Sequence, residues 1–502
     1  MAPLAAPPEF QHTYARTLPS LAMSWKADVS ANPRLVIANS ELASDLGIEP
    51  EWLYGSEALA LFSGQEQATD AERYALAYAG HQFGSYSPRL GDGRALLVGE
   101  FTDQHGSRWD LHLKGSGRTP FARGGDGKAT LGPMLREYLI GEAMAALGIP
   151  TTRALAVITT GEFAVREQPL PGAILVRVAA SHLRVGTFQY AAALGDLDDL
   201  RALADYSIDR HYPDIATADD RYLGLLQSVI DRQAKLIAEW MLVGFIHGVM
   251  NTDNVTISGE TIDYGPCAFM DSVDPLTVFS SIDEGGRYAF GRQPAIAQWN
   301  LTRFAETLLP LIADNPEDAI APATELLETF PETFSRYWHD GLAHRLGLST
   351  HVDGDDVLAN DLMQLLQERR LDLISTMRSL STHLRGDDIA SMTGRPVGNL
   401  ACNSRTRQAK NSFNVSTPST RSMFLEITSL KRLWLRPLPV ISTRSCRCSN
   451  ASPTRTNELT VPIVSPSPAT RHLDTEPTVA PKTVGQTAKP IDFVSRYSSI
   501  PS

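Results

Sequence analysis

Few cysteines, no long apolar run and no excess of basic residues set the first limits on this 502-residue chain. Its four cysteines fit neither a zinc-binding spacing nor a disulfide framework, so we expect a reducing, cytoplasmic compartment. They are Cys267, Cys402, Cys446 and Cys448. A formal net charge of −12 argues against general nucleic-acid binding, which requires a basic surface.

Targeting and membrane-spanning segments are also lacking. The first ten residues, MAPLAAPPEF, have neither a basic start nor an extended apolar core, so the sequence predicts no signal peptide. The longest apolar run lies near Met241–Ile246 and is too short to span a bilayer. No internal repeat is present. We expect a globular protein with no membrane partner and no nucleic-acid partner.

The composition changes abruptly near residue 390. Residues 390–502 contain about 15 Lys or Arg and about 5 Asp or Glu, although the whole chain is acidic. Runs such as TVPIVSPSPATRHLDTEPTVAPKTVG have no apolar stripe to bury, so burial cannot offset the entropy of ordering them. We expect residues 389–502 to form a tail of low order.

Strand patterns come early in the rest of the chain. RALLVGEF, residues 94–101, is a short apolar run after the turn LGDG. In RWDLHLK, residues 108–114, apolar and polar residues alternate, which predicts a half-buried strand whose polar face ends at Lys114. AILVRVAA, residues 173–180, has the pattern of a further strand.

Helical patterns dominate later. Residues 133–148 begin with proline and end at glycine, as helices commonly do. Further helical patterns cover residues 222–247, 296–313, 322–346 with a break at Pro331, and 357–384. We predict an α+β fold with a strand-rich N-terminal lobe in residues 1–180 and a helical C-terminal lobe in residues 181–388.

The segment HGVMNTDN, residues 247–254, has the composition of a phosphotransferase loop in an altered order. Small-molecule kinases carry His-Gly-Asp-x-x-x-x-Asn at such a place. Here the His, the Gly and the final Asn are in register, but Val249 replaces the aspartate and an acid follows at Asp253. The loop therefore keeps the residue types of a catalytic loop with its acid moved.

The residues that follow this loop include candidate metal ligands. NVTISGETIDYG, residues 254–265, predicts two short strands around a turn, which would bring Asn254 and Asp263 to one ion. Kinase-type enzymes use an Asn and an Asp for the metal that bridges the phosphates, and Mg²⁺ prefers such oxygen ligands. Asp253 then remains as the acid/base. Taken singly these acids could be ordinary turn residues; the His-Gly before them and the Gly after Asp263 favour catalysis.

Lys114 and Glu137 form a second candidate pair. A lysine at the end of a strand, followed by an acid on a helix, matches the kinase pair that holds phosphates. A strand-end lysine alone is more often a solvated surface charge. Its position upstream of the metal loop favours the functional interpretation.

Glycine-rich turns and two arginines complete the candidate site. Glycine allows backbone to approach phosphate, and arginine can bind phosphate oxygens in a bidentate way. The candidates are Gly91, Gly93 and Arg94 in PRLGDGRA, Asp126 and Gly127 in RGGDGK, and Arg177 with Arg184. The alternatives are plain hairpin turns for the loops and an internal salt bridge for the arginines. For Cys267 we expect a small buried core residue.

Four of these stretches together closely resemble the selenoprotein O family, also called the YdiU family. They are YAGHQFGSYSPRLGDGRA, LHLKGSGRTPFARGGDGKATLGPMLREYLIGEAM, HGVMNTDN and TIDYGPCAFMD, and the resemblance covers about residues 10–385. It implies a protein-kinase-like bilobal fold that binds ATP in a flipped orientation. It also implies transfer of AMP to Ser, Thr or Tyr hydroxyls of proteins, with Mg²⁺ or Mn²⁺ as the metal.

Carried over by motif, the resemblance gives each candidate a role. Asp253 is implied as the proton acceptor, and Asn254 and Asp263 as the metal ligands. Glu137 is implied to pair with Lys114. The residues implied to line the ATP site are Gly91, Gly93, Arg94, Lys114, Asp126, Gly127, Arg177, Arg184 and Asp263.

The end of the chain departs from the family, whose members continue as helical sequence to a C-terminal Cys or selenocysteine. This chain ends in RYSSIPS. Either a frameshift or an unrelated tail would produce the change. Two rival functions use the same residues: a conventional kinase-type phosphotransferase, and an ATP-binding pseudokinase that acts as a scaffold.

Overall fold

The computed structural model of the chain describes residues 8–65, 72–346 and 355–384. All of them belong to one unit of the chain, Met1–Glu426. The predicted low-order tail of residues 389–502 lies outside the described residues, as do Cys402, Cys446 and Cys448. Within the described ranges, no helix is both long enough and apolar enough to cross a bilayer.

One antiparallel sheet organises the N-terminal part. The strands are β1 (Ala22–Ser24), β2 (Arg34–Ala38), β3 (Tyr74–Leu76), β4 (Gly80–Gln82), β5 (Ser85–Ser87), β6 (Ala95–Thr102), β7 (Arg108–Lys114), β8 (Ala129–Thr130), β9 (Arg153–Val165), β10 (Pro169–Ala179), β11 (Phe245–Ile246) and β12 (Ala268–Phe269). The sheet has the order β1-β3-β6-β7-β10-β9-β2, with β8 paired to β10. β4 pairs with β5, and β11 with β12, in two separate ribbons.

Helices dominate after the sheet. They are α1 (Thr13–Thr17), α2 (Ser40–Asp45), α3 (Ser56–Ser63), α4 (Leu131–Ala146), α5 (Val185–Leu194), α6 (Leu197–His211), α7 (Arg221–Leu242), α8 (Gln293–Ile312), α9 (Pro316–Glu328), α10 (Phe330–Arg345), α11 (Asp355–Glu368) and α12 (Leu373–Leu384). The strand-rich N-terminal part and the helical C-terminal part confirm the predicted α+β class. The lobe boundary near residue 180 stays a prediction.

The alternation in β7 is confirmed, but the burial of its polar face is not as predicted. Leu111 and Leu113 enter a core with Trp52 and Phe62, where burying each leucine contributes about 1.5–3 kcal/mol. The strand was predicted to be half-buried, yet His112 on its polar face is fully buried. Buried polar side chains need partners, so this face belongs to a polar network and not to the surface.

Most other predicted elements are found within a few residues of their predicted ends. β6 and β10 cover the predicted strands at residues 94–101 and 173–180, and α4 covers most of the predicted helix at residues 133–148. The predicted break at Pro331 is confirmed, because α9 ends at Glu328 and α10 begins with Pro331 in its first turn.

The long helix before the candidate loop is shorter than predicted. α7 ends at Leu242, whereas the pattern predicted helix to His247. Gly244, with a φ of 69°, lies in the left-handed region and terminates the helix. The next two residues become β11, and this turn delivers His247 to the start of the loop.

Two further predictions are wrong. Residues 254–265 do not form a hairpin; their backbone groups bond instead to other segments, with Ile257 N–H donating to Leu183 and Thr261 N–H donating to Pro150. The helix predicted over residues 357–384 is two helices, α11 and α12, separated by Arg370, which has a φ of 50°. A non-glycine residue in that region interrupts helical hydrogen bonding.

Candidate active site

Lys114 and Glu137 meet as the sequence predicts. Lys114 ends β7, and its Nζ lies 2.7 Å from Oε2 of Glu137 on α4. Arg177, on the neighbouring strand β10, places Nη1 3.2 Å from Oε1 of the same glutamate. The ion pair therefore joins the sheet to the helix packed on it. The internal salt bridge that the sequence left open for Arg177 is present.

Asp263 is the anionic centre of this cluster. Its Oδ1 lies 2.5 Å from Lys114 Nζ and 2.7 Å from Arg177 Nη1, and its Oδ2 lies 2.7 Å from Arg184 Nη1. Burial raises the pKa of this carboxyl, but the three cations outweigh burial and hold the pKa well below its ordinary value. Asp263 is therefore ionised at any physiological pH. A strand lysine, a helix glutamate and such an aspartate form the phosphate site of kinase-like folds.

Arg184 links this cluster to the candidate catalytic loop. It lies at the start of α5, and Nη1 also donates to the main-chain carbonyl of Asp253 at 2.7 Å. Its guanidinium stacks over the ring of Tyr78 at 4.7 Å. One arginine thus contacts both Asp253 and Asp263, so the two acids belong to one site.

Asp253 lies in a short helical turn, Thr252–Asn254, and is 9% exposed. Its Oδ1 is buried without a hydrogen-bond partner, and its Oδ2 accepts from Gln82 Nε2 at 3.4 Å. Burial, only partly opposed by Arg184, raises the pKa of this carboxyl to about 6. A carboxylate with an unused acceptor and a pKa near neutrality is suited to accept a proton.

Hydrogen bonds connect the ribbon of β4 and β5 to the candidate catalytic loop. The main-chain N–H of His81 donates to Thr252 Oγ1 at 2.7 Å, and that of Phe83 donates to Asn251 Oδ1 at 3.0 Å. With Gln82 on Asp253, three consecutive ribbon residues contact three consecutive loop residues. Asn251 also accepts from the Tyr288 hydroxyl at 2.6 Å. The loop is therefore fixed by two distant parts of the chain.

Asn254 lies beside Asp253, and one hydrogen bond orients its side-chain amide. Its Nδ2 donates to the main-chain carbonyl of Val249 at 2.9 Å, which leaves Oδ1 as the atom available for a cation. Val249, at the position where kinases have aspartate, thus holds the asparagine through its backbone. His247 bonds to the main-chain carbonyl of Ile262 through Nε2, next to Asp263.

The glycine-rich loop that contains Gly91 lies next to the charged cluster. Gly91 has a φ of 66°, and a Cβ there would lie 2.3 Å from the ring of Phe121, so only glycine fits. Its N–H donates to the carbonyl of Tyr78, the residue under Arg184, which places this loop next to the cluster. Arg94, after Gly93, is exposed.

Within the described residues, Asp126 makes no contact with the charged cluster around Asp263. Its carboxylate pairs with Arg166 at 2.8 Å on the surface. Gly127, beside it, has a φ of 71°, and a Cβ there would lie 2.1 Å from the N atom of Arg118. Cys267 is buried as expected, and burial raises the pKa of its thiol to about 12.

Several residues of the site were not predicted from the sequence. His112 accepts at Nδ1 from Arg177 Nη2 at 3.2 Å, and its Nε2 lies 2.9 Å from Asp92 Oδ2. The alternation in RWDLHLK placed His112 on the same face as Lys114, so a signal was available. Gln82 had no such signal, because only the folded ribbon brings it to Asp253.

A family model described as "Protein adenylyltransferase SelO" matches residues 8–462. The chain belongs to the SelO family. It is 58% identical over 379 residues to a protein nucleotidyltransferase YdiU of Mycolicibacterium smegmatis, covering 74% of this chain and 78% of the relative. It is 57% identical over 377 residues to the protein of that name from Mycobacterium sp. strain KMS, covering 75% and 78%.

The SelO family match runs beyond residue 385, the predicted end of the resemblance. Among solved structures, the chain is similar to ROP2 from Toxoplasma gondii, described as a virulence factor with a protein-kinase fold and no enzymatic activity. That likeness has a TM-score of 0.26 and 10% identity, and it covers 64% of this chain and 84% of ROP2. It is too low to add to the SelO assignment.

Proposed function

We propose that the protein transfers AMP from ATP to Ser, Thr or Tyr hydroxyls of other proteins and releases pyrophosphate. Membership of the SelO family supports this activity. The observation that carries it is the position of Asp253, a buried carboxylate with one free acceptor, joined through Arg184 to the Lys114 and Asp263 cluster. Asp253 accepts the hydroxyl proton while the hydroxyl oxygen attacks the α-phosphorus and the bond to pyrophosphate breaks.

Three cations are assigned to the ATP phosphates in this proposal. Lys114, Arg177 and Arg184 lie around one carboxylate, within 2.7 Å of its oxygens. Preorganised cations stabilise the charge that develops as pyrophosphate leaves, without rearranging during the reaction. The loop and pair residues assigned to the same nucleotide are Gly91, Gly93, Arg94, Asp126, Gly127 and Glu137.

Asn254 and Asp263 are the proposed holders of a divalent cation, Mg²⁺ or Mn²⁺. The orientation of the Asn254 amide fits this role, since Nδ2 is bonded to Val249 and Oδ1 is left to coordinate. Asp263 accepts from three cations, and a carboxylate has about four acceptor positions. A hard cation held by these oxygens would neutralise charge on the nucleotide phosphates.

We further propose two lobes that meet near residue 180, spanning residues 1–180 and 181–388. The sheet ends with β10 at Ala179, and α5 begins at Val185, which supports a boundary there. We also propose a cytoplasmic location, which the small number of cysteines and the free thiol of Cys267 support.

Isotope position in ATP tests the proposed reaction. With wild-type protein and an acceptor protein, label at the α-phosphate is expected to remain on Ser, Thr or Tyr, and label at the γ-phosphate to leave with pyrophosphate. Retention of the γ label would identify a conventional phosphotransferase. Binding of ATP without transfer of either label would identify a pseudokinase scaffold.

The pH dependence of AMP transfer is expected to follow Asp253. The base must be ionised, and its pKa is raised to about 6 by burial, so kcat/KM should rise about tenfold per pH unit below that value and level off above it. Initial rates between pH 5 and pH 8 measure this limb. A limb centred near pH 4, the ordinary range of an aspartate, would contradict the assignment.

Gly80→Ala is expected to lower kcat about 10- to 100-fold with little change in KM for ATP. The added Cβ would lie 2.7 Å from Oδ1 of Asp253 and 2.9 Å from Leu90, so the carboxylate must move. Gly132→Ala is a matched control, because a Cβ there meets nothing within 4 Å and its backbone does not lie in the left-handed region. Equal kcat in both variants would show that the close approach at Gly80 does not position the base.

A further inference from the structure

Two segments contact each other next to the candidate catalytic loop. The first is the ribbon 80–87, formed by β4 and β5. The second is the segment 271–292, which follows Asp263 in the chain. The N–H of Phe83 donates to the Tyr288 hydroxyl at 3.1 Å, and the two rings lie 5.1 Å apart. Since both segments also bond to the catalytic loop, their position relative to the base is fixed.

These segments expose large apolar side chains. The exposed residues are Leu276 at 73%, Ile282 at 69%, Tyr86 at 44% and Phe279 at 40%. Three of the four lie within residues 276–282, and exposed apolar side chains so close together commonly mark a site where another macromolecule binds. A protein that presents a hydroxyl to Asp253 would lie against the ribbon, because Gln82 contacts the carboxylate itself.

Arg287 belongs to the second segment and has no acidic partner in the described part of the chain. Its guanidinium stacks over Trp299 at 4.7 Å and lies 5.9 Å from the ring centre of Tyr288. Within the part of the chain that the structure describes, it forms no ion pair, and its Nε is buried without a hydrogen-bond partner. Asp283 accepts from the backbone N–H groups of Arg287 and Tyr288.

The arginine packs against the ribbon whose Gln82 contacts Asp253. The same guanidinium lies 3.6 Å from the position a Cβ would take on Gly84. Gly84 is two residues from Gln82, which corresponds to at most about 7 Å along the chain. The cations assigned to ATP approach Asp253 differently, since Arg184 bonds to its main-chain carbonyl. Unlike Arg184, Arg287 forms no hydrogen bond or ion pair with Asp253 or Asp263 in the described part of the chain.

We propose that Arg287 binds an acidic side chain of the acceptor protein, next to the hydroxyl that receives AMP. This inference rests on the proposed AMP transfer. A guanidinium held in place by stacking is preorganised for a planar, charge-assisted contact with a carboxylate. The exposed Leu276, Phe279 and Ile282 contact apolar residues of the same acceptor segment. Arg287 thus determines which hydroxyls are modified.

Peptides with variable neighbours of a Ser, Thr or Tyr acceptor test this proposal. With α-labelled ATP, wild-type protein is expected to modify peptides with Asp or Glu beside the acceptor about tenfold faster than peptides with Lys there, as about 1.4 kcal/mol of contact energy implies. Arg287→Gln should remove this preference, and Arg287→Glu should reverse it toward Lys. KM for ATP should stay unchanged in both variants.

The reversed preference of Arg287→Glu distinguishes a changed contact from misfolding, because a destabilised protein cannot gain activity toward a new peptide class. Arg201→Glu, on the exposed face of α6, is the matched control and should keep the wild-type preference. Equal preferences in wild-type and Arg287→Glu proteins would overturn the assignment of Arg287. Failure of wild-type protein to transfer the α label to any peptide would overturn the proposed function, and this inference with it.

Discussion

Asp253→Ala is expected to lower kcat for AMP transfer by about 10²- to 10⁴-fold, the usual contribution of a positioned general base. The side chain that is removed carries the only buried, unpartnered carboxylate oxygen that adjoins the Lys114 and Asp263 cluster within the described residues. The affinity for ATP should change little, because Arg184 contacts the backbone of residue 253 and keeps that contact. Single-turnover transfer from α-labelled ATP and calorimetric titration with ATP measure the two quantities.

Asp253→Asn is the matched variant, since it keeps the shape and removes the basic oxygen. It should be as inactive as Asp253→Ala. If both variants kept more than a tenth of the wild-type rate, Asp253 would not be the base. If both lost transfer in the test tube but supported full cellular function, the scaffold interpretation would be favoured.

Asp263→Asn lowers the free energy of unfolding by about 3 kcal/mol in nucleotide-free protein, as expected when a buried ion cluster loses one partner. This is the lower end of the expected range, because 22% of the Asp263 side chain is exposed. Within the described residues, Lys114 and Arg177 would keep Glu137 as a counterion, whereas Arg184 would lose its paired carboxylate. Urea unfolding at neutral pH measures the loss. AMP transfer should fall as well, since the variant loses a proposed metal ligand.

The pH dependence and a surface variant check the cause of this loss. The pKa of Asp263 is held well below its ordinary value, so its stabilising effect is complete above about pH 4 and decreases as the pH falls further. Asp126→Asn breaks an ion pair with Arg166 whose side chains are about 40% exposed, and it should cost less than about 1 kcal/mol. Equal losses in the two variants would mean that the cluster around Asp263 does not stabilise the fold.

Lys114, Glu137 and Arg177 show how far sequence reasoning reaches. A strand-end lysine followed by an acid on a helix is a local pattern in a fixed order, and a charged residue in an apolar strand must find a partner. The pairing was therefore predictable. That Asp263 would accept from both Lys114 and Arg177 was not, because its φ of 60° directs its side chain in a way that no sequence pattern specifies.

The contacts between the ribbon and the candidate catalytic loop could not be predicted from the sequence, for a different reason. Its main contacts come from the backbone N–H groups of His81 and Phe83, and every residue but proline has that group. The pairing of Asp126 with Arg166 is a related case, since the turn pattern gives no information on which distant side chain its acid will contact.

The ribbon contacts also determine when the active site forms during folding and when it is lost during unfolding. They join residues 168 to 171 positions apart, so the chain must close a very long loop before the base acquires its surroundings. Such long-range contacts form late in folding. Under mild denaturant we therefore expect catalysis to disappear before the bulk of the secondary structure melts, and amide protons of the ribbon to exchange faster than those of β7.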